Sequence, residues 1–327
     1  MKAIKALIPA AILCMAGAAQ AQLVVYGLLD GSYGKSIGDD IAGLKADLHS
    51  GGDNGNSEGN STSRFGLKGS TEVAPGIKAN FNLQSNGITS NGDVNATFFN
   101  RAAWFGLSGS FGEVRFGKQD SVGFQTLIDY DLNGWTNGVP ASFMNLERGR
   151  QAKSLQYITP SLGGAKVQIG FVPKGNQVAP DDQDVVSAGV TYAAGPISGS
   201  LAVESKRTEA GTTWVGGSFS YDLKVVKLVV GGAKDKILPS GTNPGLGSVR
   251  LFSLGVVAPV SSINIGAQVG QLSGDSKSTN LEVFVNSEIF KNTTAYAEAG
   301  TTKIKKVNNV DTDIKGTGFA VGMIYVF

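Results

Sequence analysis

The chain has 327 residues, with 46 Gly, 10 Pro, one Cys and one His; 41% are hydrophobic and only 17% are charged. Glycine at about twice its ordinary share argues against a coiled coil or a long helical bundle, because glycine is poor in helix interiors. Plentiful aromatic and β-branched residues exclude a disordered chain, and 28 basic against 26 acidic residues leave no nucleic-acid footprint.

In chain order, the first feature is an export signal. Met1-Lys2-Ala3-Ile4-Lys5 is a short basic start, and Leu7 to Met15 is apolar but too short to span a bilayer as a helix. Ala19-Gln20-Ala21 then has the small-x-small form of a signal-peptidase site. Bulky Leu13 before Cys14 argues against a lipoprotein cysteine. Residues 1–21 are expected to be removed, leaving one domain over 22–327. Losing Lys2, Lys5 and Cys14 brings the charges into balance and leaves no cysteine for a disulfide or a thiolate metal site.

From there the dominant period is two. Thr62, Arg64, Lys68 and Ser70 share one side of a segment whose other side carries Phe65 and Leu67. At the far end, Phe319, Val321, Met323, Tyr325 and Phe327 alternate with Gly318, Ala320, Gly322, Ile324 and Val326. A soluble β-sandwich can alternate in the same way, so periodicity leaves both readings open. Two charge-free stretches, 185–203 and 251–274, are broken by Ala194-Gly195-Pro196 and Ala258-Pro259-Val260-Ser261-Ser262. Each reads as two strands and a tight turn, not as a membrane helix.

The connections separate the alternatives. Short turns near 73–76, 109–112, 160–164, 194–196, 222–223, 258–262 and 290–292 alternate with longer polar stretches. The longer ones cover 34–60, 86–95, 118–150, 173–183, 206–211, 234–247, 273–278 and 303–315. Seven short and eight long connections in strict alternation imply sixteen antiparallel strands, with both chain ends on the short-turn side. That is the pattern of an outer-membrane barrel. In lipid every backbone N–H and C=O must be paired, and a sheet achieves this only by joining its first strand to its last.

Specific segments then resemble the trimeric general porins of β-proteobacteria. Leu23-Val24-Val25-Tyr26-Gly27-Leu28-Leu29-Asp30 is similar to their first strand, and Ser63-Arg64-Phe65-Gly66-Leu67-Lys68-Gly69 to their second. The stretches from Phe99 to Leu107 and from Phe111 to Lys118 resemble strands four and five. Arg150-Gln151-Ala152-Lys153-Ser154-Leu155-Gln156-Tyr157 resembles the segment after the constriction loop, and Phe327 the aromatic C-terminal assembly signal.

The resemblance implies a water-filled homotrimeric barrel in the outer membrane, in contact with its lipid and lipopolysaccharide, whose third long loop folds inward and narrows the bore. Here that loop is 119–147, long enough that it is expected to pack somewhere. The resemblance implies constriction arginines on the wall at Arg64, Arg101 and Arg150, with Arg148 two residues from the last. Asp120, Asp129, Asp131 and Glu147 are the loop-side acids it implies. Leu28 stands where some relatives carry a lysine, which weakens the basic side. Arginines facing acids create a transverse field across a narrow aqueous passage, and fixed charge there sets ion choice.

Catalysis is not expected. A barrel protease or phospholipase needs a histidine as base or relay, and His49 lies in a polar stretch that reads as solvated loop. Gly112 to Lys118 has P-loop spacing, but Gln119 replaces the magnesium-binding hydroxyl and the glycines flank a strand. Residues 53–58 are acidic without calcium-loop spacing, and loop solvation is favoured there. Trp104 and Trp214 are expected on the lipid or subunit face, whereas Trp135 falls in the inward loop. No cofactor or metal is assigned. The expected function is passive diffusion of small hydrophilic solutes and ions, with a lean towards anions. A porin selective for sugars, phosphate or organic anions is the alternative, and a plugged barrel serving as adhesin or structural anchor is a third.

Overall fold

The computed structural model describes residues 22–134, 136–141, 149–175, 184–206, 213–237 and 245–327. The expected cleavage segment 1–21, and Trp135, Glu147 and Arg148, lie outside the described residues. Seventeen strands form one continuous antiparallel sheet. Sixteen are staves of the barrel; the other, the four-residue β2 (Asp47–Ser50), lies in the first long connection and pairs with the upper part of β1 (Gln22–Lys35). Each stave pairs with the next in sequence, and β17 (Val310–Val326) returns to β1 in the register Leu28↔Val326 to Lys35↔Phe319. Phe327 extends the seam, exchanging backbone bonds of 2.9 and 3.1 Å with Gly27. The sheet is therefore a closed sixteen-stranded barrel with no free edge.

The period of two sorts the side chains between lipid and lumen. Leu23, Val25, Phe105, Leu107, Phe252, Leu254, Val321 and Met323 are all exposed on the outside, a distribution that only a hydrocarbon environment makes favourable. Their inward neighbours are polar or small: Tyr26, Asp30, Asn82 and Glu282 among them. Exposed Phe111, Tyr192, Tyr221, Phe290, Tyr325 and Phe327 cluster near the short turns, where an aromatic girdle meets the interface.

All seven short turns lie where the punctuation places them. The last two of the expected long connections do not. β14 (Ile263–Gly274) and β15 (Lys277–Phe290) are separated by Asp275-Ser276 alone, and β16 (Thr293–Val307) and β17 by Asn308-Asn309. The residues read as loop are strand that rises past the membrane. Wet on both faces, such strand carries the polar composition of a loop. Asn308 and Asn309 both adopt positive φ, 44° and 69°, as a two-residue hairpin turn requires.

Candidate functional site

The connection between β6 (Gly112–Asp120) and β7 (Arg150–Ile158) lies against the inner wall. Its helix Val122–Leu127, N-capped by Ser121 through the Phe124 amide, packs on β9 (Val185–Ala194) and β10 (Ile197–Lys206). Leu127 and Tyr130 join a buried cluster with Trp214, Val229, Val249 and Leu251 on the wall. Trp214 is therefore not on the lipid face as expected; it is 1% exposed beneath this segment. Glycines make room for the segment. A Cβ on Gly300 would fall 2.7 Å from Val139 Cβ, and one on Gly318 would fall 2.8 Å from both Val139 Cγ1 and the Ile37 amide nitrogen. Gly318→Val should thus cost about 1–3 kcal/mol by overpacking. A lower denaturation temperature and noisier single-channel current are expected; unchanged values of both would mean that the segment does not bear on this wall.

Two wall glutamates fasten the segment. Glu298 accepts from Thr136 Oγ1 at 2.5 Å, Asn133 Nδ2 at 2.7 Å and Asn60 Nδ2 at 2.8 Å. Glu282 accepts from Asn133 Nδ2 at 2.6 Å. The backbone adds Asn137 N to Asn60 O and Gly138 N to Gly59 O, each 3.1 Å, and Ile37 N to Gly138 O, 2.9 Å. The first and third long connections are thereby one hydrogen-bonded body. Sequence reading missed Glu282, Glu298, Asn133 and Thr136, because a lone glutamate on an alternating strand looks like ordinary lumen solvation.

The opposite wall holds the charge. β3 (Arg64–Ala74), β5 (Ala102–Gly109) and β7 all run from the long-connection side towards the short turns. Arg64 and Arg150 are the first residues of their strands, and Arg101 immediately precedes β5. Their equivalent positions bring them to one level on alternate staves. The three line one cavity of about 300 Å³ with Asp120, Asn86, Ser61, Thr62 and Asn137. Arg64 Nη1 donates to Thr62 O at 2.8 Å and to Ser61 Oγ at 3.2 Å, which aims the guanidinium along the wall. Arg150 Nε lies 3.0 Å from Asp120 Oδ1 in an ion pair that the strand register itself sets up, Asp120 being the partner of Arg150. Arg101 has Arg150, Arg64, Asp120 and Tyr26 as its electrostatic neighbours.

Of the acids, Asp120 alone among the described loop-side candidates lines this cavity. Asp129 is exposed on the turn Ile128–Tyr130. Asp131 faces the other wall, accepting from the Asn133 amide at 3.1 Å and from Gln268 Nε2 at 3.4 Å. The basic wall also extends further than expected. Arg115 pairs with Glu113 at 2.7 Å and sits 4.5 Å over the ring of Trp104. Trp104 is register-paired with lumen-facing Asn82, so it too points inward and not to lipid. Leu28 is register-paired with Arg64, an apolar neighbour for that guanidinium. His49 is not solvated loop: it lies on β2 with only 13% of its side chain exposed.

The family model for the Gram-negative porin matches residues 6–306. The chain belongs to that family. This porin is 27% identical to outer membrane porin protein 32 of Delftia acidovorans, over 99% of each chain. It is likewise 27% identical to an outer membrane porin protein of Bordetella pertussis, over 99% of this chain and all of the other. Among solved structures it is similar to the anion-selective porin from Comamonas acidovorans. That match has a TM-score of 0.78 and 25% identity, and covers 94% of this chain and 100% of the other. The porin is thus an outer-membrane channel for passive passage of small hydrophilic solutes and ions, and not an enzyme.

Proposed function

We propose that this porin is a general diffusion channel that favours anions, with Arg64, Arg101, Arg150 and Asp120 as its selectivity site. The observation that carries the reading is three guanidiniums against one carboxylate around a single narrow cavity. An anion passing there meets donors that replace its hydration, whereas a cation meets a net positive wall. The named anion selectivity of the Comamonas acidovorans porin supports the same sign. In a planar bilayer the purified protein should give stepwise conductance, and in a potassium chloride gradient its reversal potential should carry the sign of chloride preference. A cation-selective wild type overturns the proposal. Current block that saturates with a sugar, phosphate or organic anion would favour the substrate-selective alternative instead.

The homotrimer belongs to the same proposal and is supported by similarity in fold to OmpT of Vibrio cholerae in its trimer form. Contact with outer-membrane lipid and lipopolysaccharide is supported by exposed Lys234 and Arg250, register partners just above lipid-facing Phe252. For Phe327, support for a role in assembly comes from its place at the closing seam, its ring stacked on Tyr325 at 6.0 Å.

A further inference from the structure

We propose that Asp39, His49 and Glu58, in the first long connection at the mouth of the barrel, form a binding site for a divalent transition-metal ion, with zinc as the fitting ion. This is independent of the selectivity reading. The three residues come from three pieces of the connection: Asp39 from the helix Ile37–Ile41, His49 from β2 and Glu58 from the return towards β3. One ligand atom from each lies within 4.8 Å of the others.

The remaining polar atoms of the trio are turned elsewhere. Asp39 Oδ2 accepts from the Ser36 amide at 3.1 Å, as half of the capping box of its helix. Glu58 Oε1 accepts from Asn54 Nδ2 at 2.9 Å. His49 Nδ1 has the Asp53 carboxylate 4.0 Å away. What is left converges. His49 Nε2 is buried, has no hydrogen-bond partner, and stands 3.7 Å from Glu58 Oε2. A buried imidazole nitrogen with nothing to bond is costly unless something binds it.

Charge points the same way. Glu58 is 1% exposed and Asp39 8%. Lys35, which lines the same small void, is already paired with Asp40. Two carboxyls and an imidazole in a dry setting lack positive charge, and a divalent ion supplies it.

The donor set selects the ion. Calcium and magnesium take oxygen ligands, whereas imidazole with carboxylates suits zinc and its neighbours in the transition series. Asp53 lies 4.0 Å from Nδ1, on the side of the imidazole away from Glu58, so Nε2 is the nitrogen that faces the other two ligands. Ligands on ~2.0 Å bonds in a tetrahedron lie about 3.3 Å apart, so the 3.7 Å separation closes with a small movement. The ion would also brace the pore. Asn137 Nδ2 donates to the Glu58 carbonyl at 3.0 Å, so the site is fastened directly to the constricting segment.

The test is zinc titration of the full, chelator-treated protein carrying no added histidine tag, followed by calorimetry and by metal content after dialysis. One zinc per protomer is expected, together with a zinc-dependent rise in denaturation temperature. His49→Ala should weaken binding at least tenfold and abolish that rise, and Glu58→Gln should do the same. His49→Ala removes no side-chain hydrogen bond recorded in the structure, so it should still fold and insert as a barrel even if Glu58→Gln does not. Absence of stoichiometric zinc, wild-type affinity in His49→Ala, or displacement of zinc by equimolar calcium would each overturn the proposal.

Discussion

Glu298→Ala is expected to unfasten the constricting segment. The wild-type carboxylate receives three buried donors from Asn60, Asn133 and Thr136. Its removal leaves Asn60 Nδ2 only the Asn133 carbonyl at 3.2 Å, Asn133 Nδ2 only Glu282, and Thr136 Oγ1 only the Gly59 carbonyl at 3.4 Å, a loss of about 0.5–1.5 kcal/mol for each bond removed. Water entering from the lumen recovers part of that cost, but water cannot hold the segment against the wall. The channel should therefore show large current fluctuations, close at lower applied voltage and denature at lower temperature. Asn133→Ala removes the donor shared by Glu282 and Glu298. It should give the same behaviour, and its effect should not add to that of Glu298→Ala, since the two residues act through one network. A Glu298→Ala channel with wild-type noise and closing voltage would mean that the segment is held elsewhere, by the apolar cluster around Trp214 or by the backbone bonds to Gly59 and Asn60.

The second large effect concerns ion choice. Arg101→Ala should lower the anion-to-cation permeability ratio by roughly fivefold. One unit charge close to the ion path contributes on the order of 1 kcal/mol in water-like surroundings, and more where the dielectric constant falls. Asp120→Asn should move the ratio the opposite way, because it leaves Arg150 without its ion-pair partner. Both shifts should shrink as salt rises, since screening shortens the reach of fixed charge. Reversal potentials in a salt gradient at low and high ionic strength measure all of this. Equal reversal potentials in wild type, Arg101→Ala and Asp120→Asn would remove these residues from the selectivity site.

The wall of this barrel is easy to read because lipid imposes a rule on every second residue. Val321, Met323 and Tyr325 have no choice but to be apolar, and tight turns such as Ala194-Gly195-Pro196 announce themselves. The rule lapses above the membrane. There the strand ends around Ser273–Ser278 and Lys303–Lys315 are wet on both faces, and nothing in their composition separates them from loop. Arg64, Arg101 and Arg150 were legible through family-like segments, and their common level follows from their positions where alternate strands begin.

The wall that Asp129 and Asp131 would face was not legible, because a loop's acids can be counted without knowing where each will point. Trp104 and Trp214 mislead for a related reason: an aromatic residue on an alternating strand suits lipid, a lumen cation or a buried cluster equally well. His49 and Glu58 look like solvated loop until β2 and the helix after Ser36 close over them.

The bare chain was enough to point to a closed, even-stranded outer-membrane barrel, since hydrocarbon on one side and water on the other force a pattern that recurs along each strand, whereas the arginines of its inner wall were placed only by resemblance to a family. The course of the constricting segment, its anchorage to Glu282 and Glu298, and the gathering of Asp39, His49 and Glu58 emerged only on folding. Each depends on a few contacts between residues far apart in the chain, and such contacts leave no periodic trace.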